Sequence, residues 1–201
     1  MKTTLKTLAV GTTLAFASVA AHANDTFVGL TWGETSNNIQ RSDSLKQNLG
    51  NTNLDKVIDN TGTWGLRAGQ INERGRFYAT YENLSDSYAS QYKLRQQNLL
   101  GSYDLFLPIT DSTRLFGGAT LGAVKLEQES KGFKRDSDIG YAAGLQAGIL
   151  QQLTPNVSLE GGYRYLRSNA STELSSRTAG KQGSAKLHSS ELAYLGVNYQ
   201  F

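Results

Sequence analysis

One stretch, residues 93–127, most limits what this chain can fold into. It holds two segments of alternating apolar and polar residues, joined by a turn that contains Pro108, and this pattern predicts a β-hairpin. One face of the hairpin is small and apolar, and the other is largely polar. The apolar face carries Leu99, Gly101, Tyr103, Leu105, Leu115, Gly117, Ala119, Leu121 and Ala123. In a soluble sheet that face would pack inwards, so the rest of the chain must indicate which side is the inside.

The N-terminus predicts export. Lys2 and Lys6 precede a short apolar run that ends in Ala21-His22-Ala23. A basic start, a short apolar core and small residues at an A-x-A site are typical of a secretory signal peptide. A membrane anchor would need a longer apolar run of about 20 residues. We therefore expect residues 1–23 to be a signal peptide and residues 24–201 to form one domain.

Composition excludes several classes of protein. Lys and Arg number 20 against 17 Asp and Glu, and two of the basic residues fall in the signal, so the mature chain has no nucleic-acid footprint. The chain has no cysteine, which excludes a disulfide scaffold. With 21 Gly, 10 Tyr and only two Pro, the composition favours packed strands. Beyond the signal, no apolar run approaches the length of a membrane-spanning helix.

Alternation recurs eight times and predicts eight strands. They cover residues 27–33, 63–69, 76–82, the two hairpin strands, 139–149, 157–166 and 190–201. Tight connections at 71–75, at Pro108 and at 153–156 alternate with longer polar ones, of which 34–60 and 168–187 are the largest. Short turns at one end and long loops at the other are typical of an outer-membrane barrel with both termini in the periplasm. Eight strands leave a lumen that side chains can fill.

The last strand predicts that the apolar face meets lipid. Its outer face carries Ala193, Leu195, Val197, Tyr199 and Phe201. An aromatic final residue, two positions after another aromatic, resembles the terminal signature of bacterial outer-membrane barrels. A soluble lipocalin-like barrel would place its apolar residues inside. The fold class we expect is all-β: an eight-stranded antiparallel transmembrane β-barrel with short periplasmic turns and four longer extracellular loops, located in the bacterial outer membrane.

Charged residues fall on the face opposite the apolar one. They are Arg67, Glu82, Asp104, Glu160 and Arg164. A buried charge must be paired or meet water, so we expect an ion-pair network that plugs the lumen. If the sixth and seventh strands pair symmetrically about Thr154, Gly144 faces Arg164 and Gly148 faces Glu160, and the glycines make room for charged side chains. The alternative is a selective pore lined by the same groups.

A second set of cations faces outwards at the loop end. With the hairpin centred near Thr110, Arg95 lies opposite Lys125, and Lys93 lies opposite Glu127. Two cations in direct opposition repel unless something anionic lies between them. Further basic residues of this set are Arg167, Lys131, Lys134 and Arg135. They suit the phosphates of lipopolysaccharide, whereas the alternative is ordinary snorkelling towards any head group.

Long segments of the chain resemble the OprH family of outer-membrane proteins. The likeness lies in residues 27–36, 54–60, 94–104, 132–138 and 160–167. It implies an eight-stranded barrel without an established open pore, produced under magnesium limitation. It also implies a protein that binds lipopolysaccharide and tightens the outer leaflet against cationic antimicrobials. The basic positions that this family is thought to use match Lys93, Arg95 and Lys125.

Other classes of function have weaker sequence support. His188 lies beside Ser189, Ser190 and Glu191, but alternation places His188 and Ser190 on one face and the other two on the opposite face. A Ser-His-acid site needs these groups within hydrogen-bond reach, so we do not expect an enzyme. No cofactor or metal site is expected, and Mg²⁺ would at most compete for the same phosphates. The expected partners are lipopolysaccharide and the outer membrane, with no nucleic acid and a monomeric barrel. Alternatives are a small or gated pore and a loop-mediated adhesin.

Overall fold

The computed structural model describes residues 25–41, 61–88, 92–130, 136–176 and 180–201. They form nine strands: β1 (Asp25–Arg41), β2 (Thr61–Ile71), β3 (Gly75–Tyr88), β4 (Tyr92–Pro108), β5 (Thr113–Ser130), β6 (Asp136–Gln152), β7 (Val157–Ser168), β8 (Ser171–Ser176) and β9 (Gly180–Gln200). Within these ranges no helix is long and apolar enough to cross a membrane. The predicted signal peptide lies outside the described residues and stays a prediction.

The sheet closes on itself. Consecutive strands pair antiparallel from β1 to β7, β7 pairs with β9, and β9 pairs back with β1. The short β8 pairs only with the first part of β9, from Ser171 opposite Lys186 to Ser176 opposite Gly180. The expectation of a closed, eight-stranded antiparallel barrel is therefore confirmed, and β8 is an additional strand beside it.

Several strands are longer than the alternation predicted. The first was expected to end at Gly33 but continues to Arg41, because its second half pairs with β9 as far as Ala185. Apolar alternation ends where lipid ends, whereas backbone hydrogen bonds continue wherever a partner strand is present. Sequence pattern therefore marks only the part of each strand that lies in the membrane.

Register around the barrel sets the strand tilt. Following paired residues from Val28 through all eight strands leads back to Asn38, ten positions further along β1. With about 3.3 Å per residue and about 4.8 Å between strands, this stagger tilts the strands by about 40°. Each step from β1 towards β9 along such a row therefore climbs towards the loop end.

Short polar turns close the other end of the barrel. The Asn72 side chain accepts hydrogen bonds from the backbone N–H groups of Arg74 and Gly75, at 2.9 and 3.0 Å. Thr110 and Thr154 act similarly in the next two turns, where each hydroxyl accepts from a backbone N–H at 3.0 Å. Side-chain acceptors of this kind stabilise turns. The same end holds both sheet termini, which leaves the longer connections at the opposite end.

Burial is inverted relative to a soluble barrel. On β1 and β2 the outward residues Leu30, Trp32 and Leu66 are exposed, whereas Arg67 is only 5% exposed. An apolar exterior with a polar interior is expected where the exterior meets lipid. The alternation in sequence and the alternation in burial therefore agree on the sidedness of the wall.

Candidate site: a charged lumen and a basic outer rim

Four charged side chains meet in the half of the lumen nearer the short turns. Glu160 accepts hydrogen bonds from Arg67 Nη1 at 2.6 Å and from Arg76 Nη1 at 2.5 Å. Arg76 Nε also donates to Asp104 Oδ2 at 2.8 Å. Because β2, β3, β4 and β7 each supply one of these residues, the cluster ties distant parts of the barrel wall together. We call it the lower cluster.

A second ion pair lies nearer the loop end. Arg164 Nη2 donates to Glu82 Oε2 at 2.5 Å, and Asn98 donates to the same oxygen at 3.1 Å. Gln96 donates to Asn98 at 3.0 Å and accepts from Asn37 at 2.7 Å. Every polar group in this chain of contacts lies on the inward face. We call it the upper cluster.

Buried charge in the lumen is balanced. Among the residues that the structure describes, the buried charged ones are Arg67, Arg76 and Arg164 with Glu82, Asp104 and Glu160. The space between the two clusters is about 10 Å³, close to the minimum that holds one water molecule. The structure therefore places the five lumen residues named from sequence in two paired, closely packed clusters.

Among the described residues, Arg76 is the buried charged residue of the lumen that sequence reasoning missed. Its guanidinium lies over four inward aromatic rings, at 4.7 Å from the Phe116 centroid and 4.9 Å from that of Tyr78, with Phe27 and Phe106 at 6.0 and 5.8 Å. Such faces attract a desolvated cation. The alternation of faces along a strand could have identified it, because Arg76 lies on the same face of β3 as Glu82.

Two expected partnerships across β6 and β7 are wrong. Gly144 lies opposite Leu166 and Gly148 opposite Gly162, not opposite the charged residues. The turn is centred one residue later than Thr154, which moves each partner by two positions. At Gly148 an added Cβ would collide with the Phe116 ring, so this glycine makes room for an aromatic ring.

Glycine does make room for charge elsewhere in the lumen. A Cβ at Gly118 would collide with the carboxylate of Asp104, and one at Gly196 would lie 2.9 Å from Arg67 Nη2 and 3.1 Å from Glu160 Cγ. Only glycine allows the long side chains to cross the lumen at these two points.

The register of the opening hairpin also differs from the expectation. Arg95 lies opposite Glu127, not Lys125, and Lys125 lies opposite Gln97. The turn is centred on Asp111, one residue later than Thr110, which moves each partner by two positions. The predicted repulsion between two opposed cations is therefore wrong. Glu127 is instead the partner of Arg95 and lies two positions from Lys125 on the same face of β5, with its Oε2 3.7 Å from Lys125 Nζ.

The rim cations that the structure describes point outwards, as the alternation of faces along each strand predicts. Arg95 and Lys125 alternate with buried Gln96, Val124 and Leu126, and Arg167 is exposed on the outside of β7. These three cations lie on β4, β5 and β7 at the loop ends of the strands.

The other predicted rim residues lie wholly or partly outside the described structure. Lys93 pairs with Glu129 in the backbone register, and its side chain lies outside the described part of the structure. Lys131, Lys134 and Arg135 lie outside the described residues altogether.

The His188 region departs from simple alternation. The register between β1 and β9 shifts between Asn38 and Ile39, which pair with Ser189 and Leu187, so His188 is skipped. Ser189 and Ser190, the next two residues, are both buried. The expectation that His188 and Ser190 share a face rested on unbroken alternation, and this irregularity removes its basis.

A closed barrel with an apolar outside, a balanced charged lumen and short turns at one end defines an integral outer-membrane protein. The chain matches the family model described as outer membrane protein beta-barrel domain over residues 8–201 and belongs to that family, in the bacterial outer membrane.

More particularly, the chain is 72% identical to outer membrane protein H (OprH) from P. aeruginosa, whose solution structure was determined in DHPC micelles. The match covers 88% of this chain and 99% of that one, with a TM-score of 0.57. The expected resemblance to the OprH family is thereby confirmed.

Two further solved barrels share the fold. Neisserial surface protein A is 18% identical with a TM-score of 0.64, covering 88% of this chain and 97% of that one. OprG from P. aeruginosa is 12% identical with a TM-score of 0.62, covering 89% and 96%. Among proteins with curated descriptions, none matches this chain by sequence.

Proposed function

We propose that this barrel binds lipopolysaccharide through its outward basic rim and stabilises the outer leaflet when divalent cations are scarce. By linking neighbouring lipid molecules it limits the entry of cationic antimicrobials. The observation that carries the proposal is the contrast between two sets of charges. Lumen cations are matched by buried carboxylates, whereas Arg95, Lys125 and Arg167 point out of the wall at the loop end.

Lys125 lies on the head-group side of the lipid boundary. Lys125 belongs to the register row that contains Trp32 and Trp64, both exposed on the lipid side. Tryptophan favours the boundary between hydrocarbon and head groups. At this tilt each step along the row climbs about 3 Å, so Lys125 lies about 9–12 Å above the two tryptophans, on the head-group side of that boundary.

The chemistry of these side chains suits a polyanionic lipid. Arg95 and Arg167 carry planar guanidinium groups that bind phosphate oxygens in pairs, and Lys125 adds a compact charge. Glu127 neutralises part of this set, so Arg95, Lys125 and Glu127 together carry one net positive charge. Fixed cations of this kind replace Mg²⁺ between phosphates without needing the free ion.

The test is lipopolysaccharide binding by the refolded barrel. The variant Lys93→Ala, Arg95→Ala, Lys125→Ala should bind more weakly than the wild type and with a shallower dependence on salt, because screening acts on the removed charges. Arg74→Ala, which removes an exposed cation from a short turn, serves as the control and should bind normally.

Mg²⁺ titration separates this proposal from ordinary snorkelling. If the rim cations occupy the sites of divalent ions, the difference between wild type and triple variant is largest without Mg²⁺. Equal binding by the two proteins at every salt and Mg²⁺ concentration would show that the cations only snorkel, and the proposal would then be abandoned.

A further inference from the structure

The lipid-facing wall below the rim contains a shallow trough. In two neighbouring rows of paired residues, a small side chain lies between two large ones. The rows are Leu99, Ala123 and Tyr141, and Leu121, Ala143 and Arg167. The two alanines form the floor, on β5 and β6, and the larger side chains rise on either side. The result is an apolar channel that runs obliquely down the outside of the barrel.

One wall of the trough is held in place by two hydrogen bonds to Asn169. Asn169 Oδ1 accepts a hydrogen bond from the Tyr141 N–H at 2.7 Å, and Asn169 N–H donates to the Tyr141 carbonyl at 3.2 Å. These bonds continue the pairing of β6 with β7 beyond the end of β7. They fix the backbone that carries the Tyr141 side chain, which is 80% exposed on the outside.

Cations lie above the trough and on its β7 side. Lys125 lies two positions above Ala123 on the same face of β5, and Arg167 is the direct partner of Ala143 across β6 and β7. Among the residues that the structure describes, no carboxylate lies within ion-pair distance of Arg167. An apolar channel that leads up to cations matches a molecule with an acyl chain below and a phosphate above.

Resting on the proposed function, we propose that this trough seats one acyl chain of lipopolysaccharide, with phosphates of the same molecule bound by Lys125 above the trough and by Arg167 on its β7 side. The basic rim holds the head group, and the trough fixes the position of the lipid along the wall. A second copy of the barrel is a poorer occupant, because packing two such faces together would bring their cations towards one another. An anionic phospholipid shares the chemistry and is distinguished by the test.

The experiment fills the floor of the trough without changing any charge. Ala123→Leu, Ala143→Leu introduces two side chains that lipid tolerates. The matched control, Ala119→Leu, Ala147→Leu, makes the same changes at exposed positions four residues further from the rim on the same two strands. Each protein, refolded in micelles, is titrated with fully acylated lipopolysaccharide and with the same material after complete deacylation, which keeps its phosphates.

We expect the trough variant to bind acylated lipopolysaccharide roughly tenfold more weakly, because a filled floor no longer allows the walls to pack around an acyl chain by van der Waals attraction. It should bind the deacylated material like the wild type, and the control variant should match the wild type for both. Should the double variant fail to fold, Ala143→Leu against Ala147→Leu makes the same comparison.

Several results would overturn the inference. If the trough variant bound acylated lipopolysaccharide like the wild type while the rim variant bound it more weakly, the trough would not be part of the binding site. The proposed function would still stand. Equal weakening for both ligands would mean that the new side chains disturb the rim cations instead. Competition by phosphatidylglycerol vesicles as effective as that by lipopolysaccharide would assign the trough to phospholipid. If the wild type did not bind lipopolysaccharide at all, both proposals would be wrong.

Discussion

Arg76 and Glu160 are 84 positions apart in the sequence, yet Arg76 Nη1 donates to Glu160 Oε2 at 2.5 Å inside the barrel. The same carboxylate also accepts from Arg67 and, at 2.9 Å, from Asn198. One acid therefore links β2, β3, β7 and β9 across the lumen. This contact makes Glu160 the residue on which the lower cluster most depends.

Glu160→Gln should destabilise the barrel by about 3–5 kcal/mol, because it leaves two buried arginines with only Asp104 as a carboxylate partner. The measurement is the free energy of unfolding in urea with lipid vesicles present. Glu127→Gln, on the outer rim, is the control and should cost less than about 1 kcal/mol. A similar small cost for Glu160→Gln would show that the lower cluster is not a significant source of stability.

Wild-type protein in planar bilayers should give no large, steady single-channel steps, because the lumen is filled by paired charges and rings. Arg76→Ala removes the side chain that lies between Glu160, Asp104 and four aromatic rings, and should raise conductance by opening the space beneath the lower cluster. Arg74→Ala, in the adjacent turn, should leave conductance unchanged. Large, steady steps from the wild type would instead favour the pore alternative.

Adjacent glycines of β5 should differ sharply in their tolerance of substitution. At Gly118 an added Cβ collides with Asp104, whereas at Gly117 nothing lies within 4 Å. Gly118→Val should therefore prevent folding or cost more than about 3 kcal/mol, and Gly117→Val should stay within about 0.5 kcal/mol of the wild type. Folding yield by heat-dependent gel mobility measures both. Equal tolerance would contradict the described packing of the lumen.

Removing the rim carboxylate should strengthen lipopolysaccharide binding. Glu127 lies opposite Arg95 and 3.7 Å from Lys125 Nζ, so Glu127→Gln leaves both cations available to phosphate. We expect a gain of about two- to fivefold at low salt, which corresponds to a partly exposed ion pair. The gain should disappear at high salt. Glu73→Gln, in a short turn, is the control, and an equal gain there would point to net charge alone.

The sequence by itself determined the class of fold and, wherever alternation is unbroken, the side of the wall on which a described residue lies. Period-two alternation places Arg67 and Glu160 inside and Leu30 and Leu121 outside, and alternate short and long connections orient the barrel. Arg76 was within reach of the same reasoning. The long polar halves of β1 and β9 could not be predicted in this way, because their pairing depends on the neighbouring strand and not on apolar alternation.

Only the tertiary structure decided which residues are partners. In both hairpins the expected register was wrong by two positions, which kept every side chain on its predicted face but exchanged its neighbours. Arg95 thus meets Glu127 instead of Lys125. The irregularity beside His188 could not be inferred either, because it arises between β1 and β9 as they close the barrel. Alternation is a property of one strand, whereas register and closure depend on turn geometry and on contacts between residues far apart in the chain.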